Sequence, residues 1–173
     1  MKSLFAPWRL PYLKGPKPDH CIFCVGKSTD DRRRFILHRG GSTFVIMNAY
    51  PYSNGHLMVA PYEHASELQA LSPAALGELL VTTQLAIDAL KAVYKPQGFN
   101  VGLNLGKAAG AGIEEHLHLH IVPRWNGDTN FMTTAAHVRV IPEDLHHAYD
   151  QLAPEFRARS GNASPPSKSK RRR

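Results

Sequence analysis

The chain has 173 residues, enough for one compact domain with a sizeable core and too few for a second full one. Apolar residues make up 43%, a globular share that excludes wholesale disorder and collagen-like structure. The net charge of +7 points to a nucleic-acid binder only until it is located: seven of the 21 basic residues follow Glu155, leaving 14 basic against 14 acidic up to and including it. The body is neutral, and the excess charge belongs to the tail. No apolar run reaches the ~20 residues that cross a bilayer. The start breaks at Pro7 before the apolar region of a signal peptide can form, so the expected location is cytoplasmic and no membrane partner is expected.

In chain order, residues 1–20 carry Pro7, Pro11, Pro16 and Pro18 among Trp8 and Tyr12, an irregular N-terminal arm rather than a helix. Residues 34–39 and 42–48 are β-rich runs joined by Gly40-Gly41, a hairpin signal. Turn-forming residues 51–55 lead to a strand at 56–60. A long helix starts at Ser72-Pro73, with Leu76, Leu79, Leu80, Thr83, Ile87, Leu90 and Tyr94 as its apolar stripe, and stops by Pro96 and Gly98. Strands at 99–105 and 115–122 flank a loop of small residues, 106–112, and a shorter helix runs from Pro142 to about Arg159. Residues 160–173 have no apolar side chain larger than Ala and are expected to form a disordered basic tail. Hairpins with one long and one short helix, without regular βα alternation, predict an α+β domain over 21–159 built on an antiparallel sheet.

The chemistry concentrates in His116-Leu117-His118-Leu119-His120. On a strand the three imidazoles share one face and the leucines enter the core, with neighbouring histidines starting from Cα atoms about 6.6 Å apart. Such a set can bind a catalytic divalent metal, or one imidazole can act as nucleophile while its neighbours handle protons and phosphate charge. Gly106, Gly110 and Gly112 just upstream favour the second reading, because a tight glycine loop can turn backbone N–H groups toward a phosphate. Lys107 is either a phosphate contact or a solvated side chain. Cys21 and Cys24 form a Cys-x-x-Cys: by spacing alone, half a zinc site or two reduced thiols.

The run 116–122 resembles the His-φ-His-φ-His-φ-φ pattern of the histidine-triad superfamily, where φ is an apolar residue. Asn48 with Gly55-His56-Leu57-Met58-Val59-Ala60-Pro61 is similar to its upstream segment, and Asn104-Leu105-Gly106 to its phosphate-loop entry. Pro123-Arg124-Trp125 resembles the exit of a branch similar to bacterial diadenosine tetraphosphate phosphorylases. The resemblance covers roughly residues 8–131. It implies a homodimer that acts on dinucleoside polyphosphates through a covalent nucleotidyl-histidine, with His118 as nucleophile and His120 and His56 handling phosphoryl oxygens and leaving group. It further implies a nucleotide site made by Asn48, Phe44, Ile46, Asn104, Gly106, Gly110, Ala111, Gly112 and Trp125. A structural zinc would be held by Cys21, Cys24, His64 and His116, with no metal required for the chemistry. That last assignment asks His116 to turn away from the face it shares with His118 on an ideal strand.

Many relatives place a Gln or hydroxyl residue just before the triad; this chain has Gly112-Ile113-Glu114-Glu115, which leaves phosphate and water both open as second-step acceptor. A nucleoside phosphoramidase or a dinucleoside polyphosphate hydrolase is the alternative from the same chemistry. A nucleotide-binding regulatory module with little turnover is the alternative from another class, and a metal-dependent hydrolase is more remote. The tail is expected to give at most weak, non-specific RNA contact.

Overall fold

A computed structural model describes residues 21–26, 30–128 and 143–160. The proline-rich arm, the tail beyond residue 160 and the expected helix start at Pro142 lie outside the described residues. Five antiparallel strands, β1 (Ile36–Arg39), β2 (Thr43–Met47), β3 (Leu57–Pro61), β4 (Gly98–Leu103) and β5 (Leu119–Arg124), form one sheet in the order β1-β2-β3-β5-β4. Two helices, α1 (Pro73–Tyr94) and α2 (Leu145–Ser160), pack against each other and against the sheet. This is the expected α+β arrangement.

Strand alternation sorts the two faces. Val45, Met47, Leu57, Val59, Leu119 and Ile121 enter a core closed by Leu79, Ala86 and Leu90 of α1 and by Leu152 and Phe156 of α2. Phe44, Ile46, Met58 and Ala60 belong to a second cluster with Phe23 and Val25. Both faces of β2 and β3 are therefore buried, so these strands read as continuous apolar runs. Because Leu119 and Ile121 face the helices, His120 between them falls on the opposite face, paired with Met58 on one side and Gly102 on the other. Among the described residues no helix is long and apolar enough to cross a membrane.

Helix α1 begins where expected: Ser72 Oγ accepts the Ala75 N–H at 3.2 Å, with Pro73 in the first turn. Its buried face differs from the expected stripe. Ala75, Leu79, Thr82, Thr83, Ala86, Ala89 and Leu90 are buried, while Leu80 is 62% exposed. Leu80 is one residue, about 100°, round the helix from Leu79, and small alanines rather than large leucines let the helix lie close to the sheet. The first triad strand also differs: β5 starts at Leu119, four residues later than expected, and β4 ends at Leu103 instead of 105.

The β1–β2 hairpin closes through Gly40 N–H to the Thr43 carbonyl at 2.8 Å, and Glu78 of α1 locks it. The Glu78 carboxylate accepts from Ser42 N–H and Oγ–H and from Thr43 N–H and Oγ1–H, at 2.5 to 3.2 Å. A Cβ at Gly40 would collide with a Glu78 carboxylate oxygen and displace it from these bonds. Burial acts to raise the Glu78 pKa, but the bonds from Ser42 and Thr43 outweigh it and hold the carboxyl below its usual range. Its folded value being depressed, the carboxylate stabilises the fold fully above the ordinary 4.5 and loses that contribution as the pH falls through the folded value. Glu78→Ala should lower stability at neutral pH by about 1 to 2 kcal/mol, and thermal melts of parent and variant should converge as the buffer is taken down to pH 3.

Candidate active site and metal cluster

The late start of β5 decides how the triad is arranged. Residues 116–118 approach the strand without belonging to it, and Leu117 N–H donates to the Ala65 carbonyl at 2.7 Å while its side chain packs with Ala65, Leu71 and Ala75. His116 is therefore free of the strand's alternation and turns toward the cysteines. The difficulty expected of an ideal strand does not arise.

His116 Nε2–H donates to the Pro61 carbonyl at 2.8 Å, which leaves Nδ1 as a lone pair 3.3 Å from Cys21 Sγ and 3.8 Å from Cys24 Sγ. His64 Nδ1 lies 3.2 Å from Cys24 Sγ, and the ligand atoms of Cys21, Cys24, His64 and His116 all fall within 4.8 Å of one another. A tetrahedral zinc with Zn–N of about 2.0 Å and Zn–S of about 2.3 Å sets its ligands about 3.3 to 3.8 Å apart. The donor set and its spacing fit that ion.

His118, 7% exposed, donates Nδ1–H to the His116 carbonyl at 2.8 Å, so its Nε2 carries a bare lone pair. Burial lowers its pKa and the bond to His116 opposes the shift; the net direction is down, toward the neutral, nucleophilic ring. Phe23 lies against this imidazole at 4.6 Å between centroids and 26° between planes, and His120 meets it edge-on at 4.9 Å.

The remaining protons follow from a chain of bonds. Asn48 Oδ1 accepts the Tyr50 N–H at 2.8 Å, which turns the amide nitrogen toward His56 Nδ1 at 3.3 Å; Tyr52 N–H donates to that same Nδ1 at 3.1 Å. With Nδ1 an acceptor, His56 carries its proton on Nε2 and donates it to His120 Nδ1 at 3.0 Å. The hydrogen of His120 then resides on Nε2, where it can be donated in a bond to a phosphoryl oxygen. Burial first, then the neighbouring His120 and His118 rings, takes His56 down to about 3, and burial with His118 takes His120 down to about 4. Both are neutral near pH 7.

The other expected site residues are placed less uniformly. Asn48 is half-buried and holds the His56 tautomer. Phe44 is fully buried and stacked on Tyr62 at 5.2 Å, and Ile46 is 9% exposed, so in this conformation Phe44 is a floor rather than a surface a nucleotide can touch. Asn104 is half-buried where the chain leaves β4, just beyond the Leu103–Leu119 pair and so alongside the triad. In the following loop Gly106 and Gly110 have φ of 75° and 84°, conformations that suit glycine. The N–H groups of Gly110 and Ala111 close the loop's own turn, at 2.9 Å to Lys107 and 3.5 Å to Gly106. The Gly110 amide is thus engaged within the loop, the Ala111 contact lies at the outer limit of a hydrogen bond, and Gly112 and Lys107 are exposed. Trp125 is half-buried at the β5 exit, where Arg124 pairs with Asp128.

Two residues escape the sequence reading. Phe23 is hidden inside the Cys-x-x-Cys, where the cysteines draw the attention. Tyr52 reads as part of a turn, yet its ring lies 4.7 Å from His56 and 6.0 Å from His120 while staying 44% exposed.

Comparison with known proteins adds a family. Residues 31–127 match the HIT domain. A protein of Mycobacterium tuberculosis named AP-4-A phosphorylase is 47% identical over 165 residues, covering 90% of this chain and 85% of the relative. An adenosine 5'-monophosphoramidase of Schizosaccharomyces pombe is 25% identical over 138 residues, covering 79% of this chain and 98% of that protein. A zinc-bound histidine triad family protein of Mycobacterium smegmatis superimposes with a TM-score of 0.64 at 25% identity, covering 82% of this chain and 96% of its own. The match over more than half the chain, together with the 47% identity, is what three histidines and a glycine loop had suggested: this chain belongs to the HIT domain family.

Proposed function

We propose that the protein cleaves dinucleoside polyphosphates of the diadenosine tetraphosphate type, by passing a nucleotidyl group through His118. The observation that carries this reading is the bare Nε2 of a neutral His118, held by its Nδ1–H bond to His116 and set beside a ring that has a proton to give. In the first step the Nε2 lone pair forms a bond to the α-phosphorus, and the phosphoanhydride P–O bond to the leaving polyphosphate breaks. His120 Nε2–H donates a hydrogen bond to the leaving oxygen, and the polyphosphate departs as the anion. In the second step phosphate or water displaces the histidine, giving a nucleoside diphosphate or a monophosphate respectively and restoring the neutral His118 ring, the proton of an attacking water passing to solvent. Splitting one hard displacement into two is the gain from the covalent route. The 47% relative named AP-4-A phosphorylase supports phosphate as acceptor. The resemblance to an adenosine 5'-monophosphoramidase favours, as a second reading, a P–N bond in place of the anhydride.

Cys21, Cys24, His64 and His116 would hold a zinc ion whose role, when bound, is to crosslink the segment at residues 21–26 to the approach of β5. Four protein donors complete a tetrahedron and leave no position for substrate, so this reading assigns the ion to stability. We further read the protein as a homodimer. Strand β4 ends the sheet, and Val101 on it and Leu105 beyond it are 46% and 48% exposed, a surface open to edge pairing. Analytical ultracentrifugation should return twice the chain mass. Any contact of the basic tail with RNA belongs to residues outside those described.

Incubation with diadenosine tetraphosphate, with and without inorganic phosphate, tests the main reading. ADP plus ATP formed only with phosphate is the expected result; no cleavage in either case contradicts it. His118→Ala should abolish turnover, and His120→Ala should slow it by roughly 10² to 10⁴.

Charge in the histidine pair gives a stability test. The folded pKa values of His56 and His120, about 3 and about 4, lie below the ordinary 6.5, so the unfolded chain binds more protons between these limits. Stability should be full above pH 6.5 and decline as the pH is lowered toward 4. Urea midpoints of parent and His120→Asn should show the variant losing less over that window.

A further inference from the structure

We propose that Phe23 is a positioning residue for the nucleophile: the turn between the two cysteines presses its ring flat on the His118 imidazole and fixes the direction of the attacking nitrogen. This rests on the reading of His118 given above and adds a residue to it. Phe23 is 1% exposed, while its neighbour Ile22 is 47% exposed, so the turn sends one apolar side chain out and the other in. The inward ring contacts two members of the triad, His118 at 4.6 Å and nearly parallel, and His116 at 5.4 Å and tilted by 48°.

His118 needs such a wall. Among the described residues its ring makes one hydrogen bond, Nδ1–H to His116, and meets the edge of His120, and a ring held at its edges still tilts about that bond. A flat aromatic face at van der Waals distance removes that tilt, which a branched aliphatic side chain of similar volume does not do as well. The wall is itself anchored from behind. Cys24 N–H bonds to the Cys21 carbonyl at 3.1 Å, and Val25 N–H to the Phe23 carbonyl at 2.8 Å. Arg34 holds the Val25 carbonyl at 2.5 Å, and Arg39 holds the Gly26 carbonyl at 2.9 Å while Asp31 fixes its Nε. Two guanidinium groups thus fasten the far side of the turn to the first hairpin, and the cysteines fasten its near side to His64 and His116.

The test is Phe23→Leu, an apolar exchange that keeps the site filled but removes the flat face, with Phe23→Met as a second variant of the same kind. With diadenosine tetraphosphate as substrate, kcat should fall about 10- to 100-fold, the scale of a misdirected reacting group, while KM stays within about twofold. In nitrogen-15 and proton spectra of the imidazoles, the parent should show a protonated Nδ1 and bare Nε2 for His118, with ring protons shifted upfield by the Phe23 face. In both variants that upfield shift should vanish and the two nitrogen signals should approach each other as the ring samples both tautomers. Unchanged kcat, or a raised KM with kcat intact, overturns the proposal, the latter by making Phe23 a nucleotide contact. Nitrogen signals of His118 that are the same in parent and variants overturn it as well. Should the parent itself fail to cleave the dinucleotide, the function proposed above falls, and the spectra alone then decide whether Phe23 orders His118.

Discussion

One hydrogen bond organises the site: His118 Nδ1–H to the carbonyl of His116, at 2.8 Å. It fixes the tautomer of the candidate nucleophile, and it does so through the backbone of the residue whose side chain completes the Cys21–Cys24–His64 cluster. The same short stretch therefore serves two tasks with different parts of one residue. That is possible because residues 116–118 lie outside β5; a regular strand would commit their carbonyls to ladder bonds and their side chains to alternating faces.

The rest of the fold keeps this stretch in place. The Leu117 amide is held by Ala65 and its side chain by Leu71 and Ala75 below α1, while His116 Nε2–H reaches the end of β3 at Pro61. Residues 21–26 cover the other side with Phe23. Proton order in the site is likewise set from outside it: Tyr50 N–H turns the Asn48 amide, Asn48 and Tyr52 set His56, and His56 sets His120. Tyr50, Asn48, Tyr52 and His56 thereby leave a hydrogen on His120 Nε2 without any charged side chain in the relay, which burial would make costly.

Much of this was legible in the sequence, and the limits are physical. Gly40-Gly41 and Ser72-Pro73 announce the first hairpin and the long helix because each is a local rule of backbone geometry. The five-residue histidine run announces the site because such alternation is rare without a use. What could not be read is where alternation stops: nothing in His116-Leu117-His118 says that Leu117 will bond to Ala65, a contact between segments fifty residues apart. Leu80 likewise looks like core by period yet is 62% exposed, because the face that packs on the sheet is centred on Leu79, Ala86 and Leu90, about 100° away. Asn48 entered through the resemblance as a nucleotide contact, and its work on the His56 tautomer depends on Tyr50. Phe44, which the resemblance placed in the nucleotide site, is sealed by Tyr62 and the cluster containing Phe23.

The central claim is a transient bond between His118 Nε2 and phosphorus. Rapid acid-free quenching of the protein during turnover of diadenosine tetraphosphate, followed by peptide mass spectrometry, measures it directly. The account predicts a nucleotidyl group on the peptide carrying His118 and none in the His118→Ala variant. An adduct on another residue, or turnover at the parental rate in the chain lacking that imidazole, would contradict it.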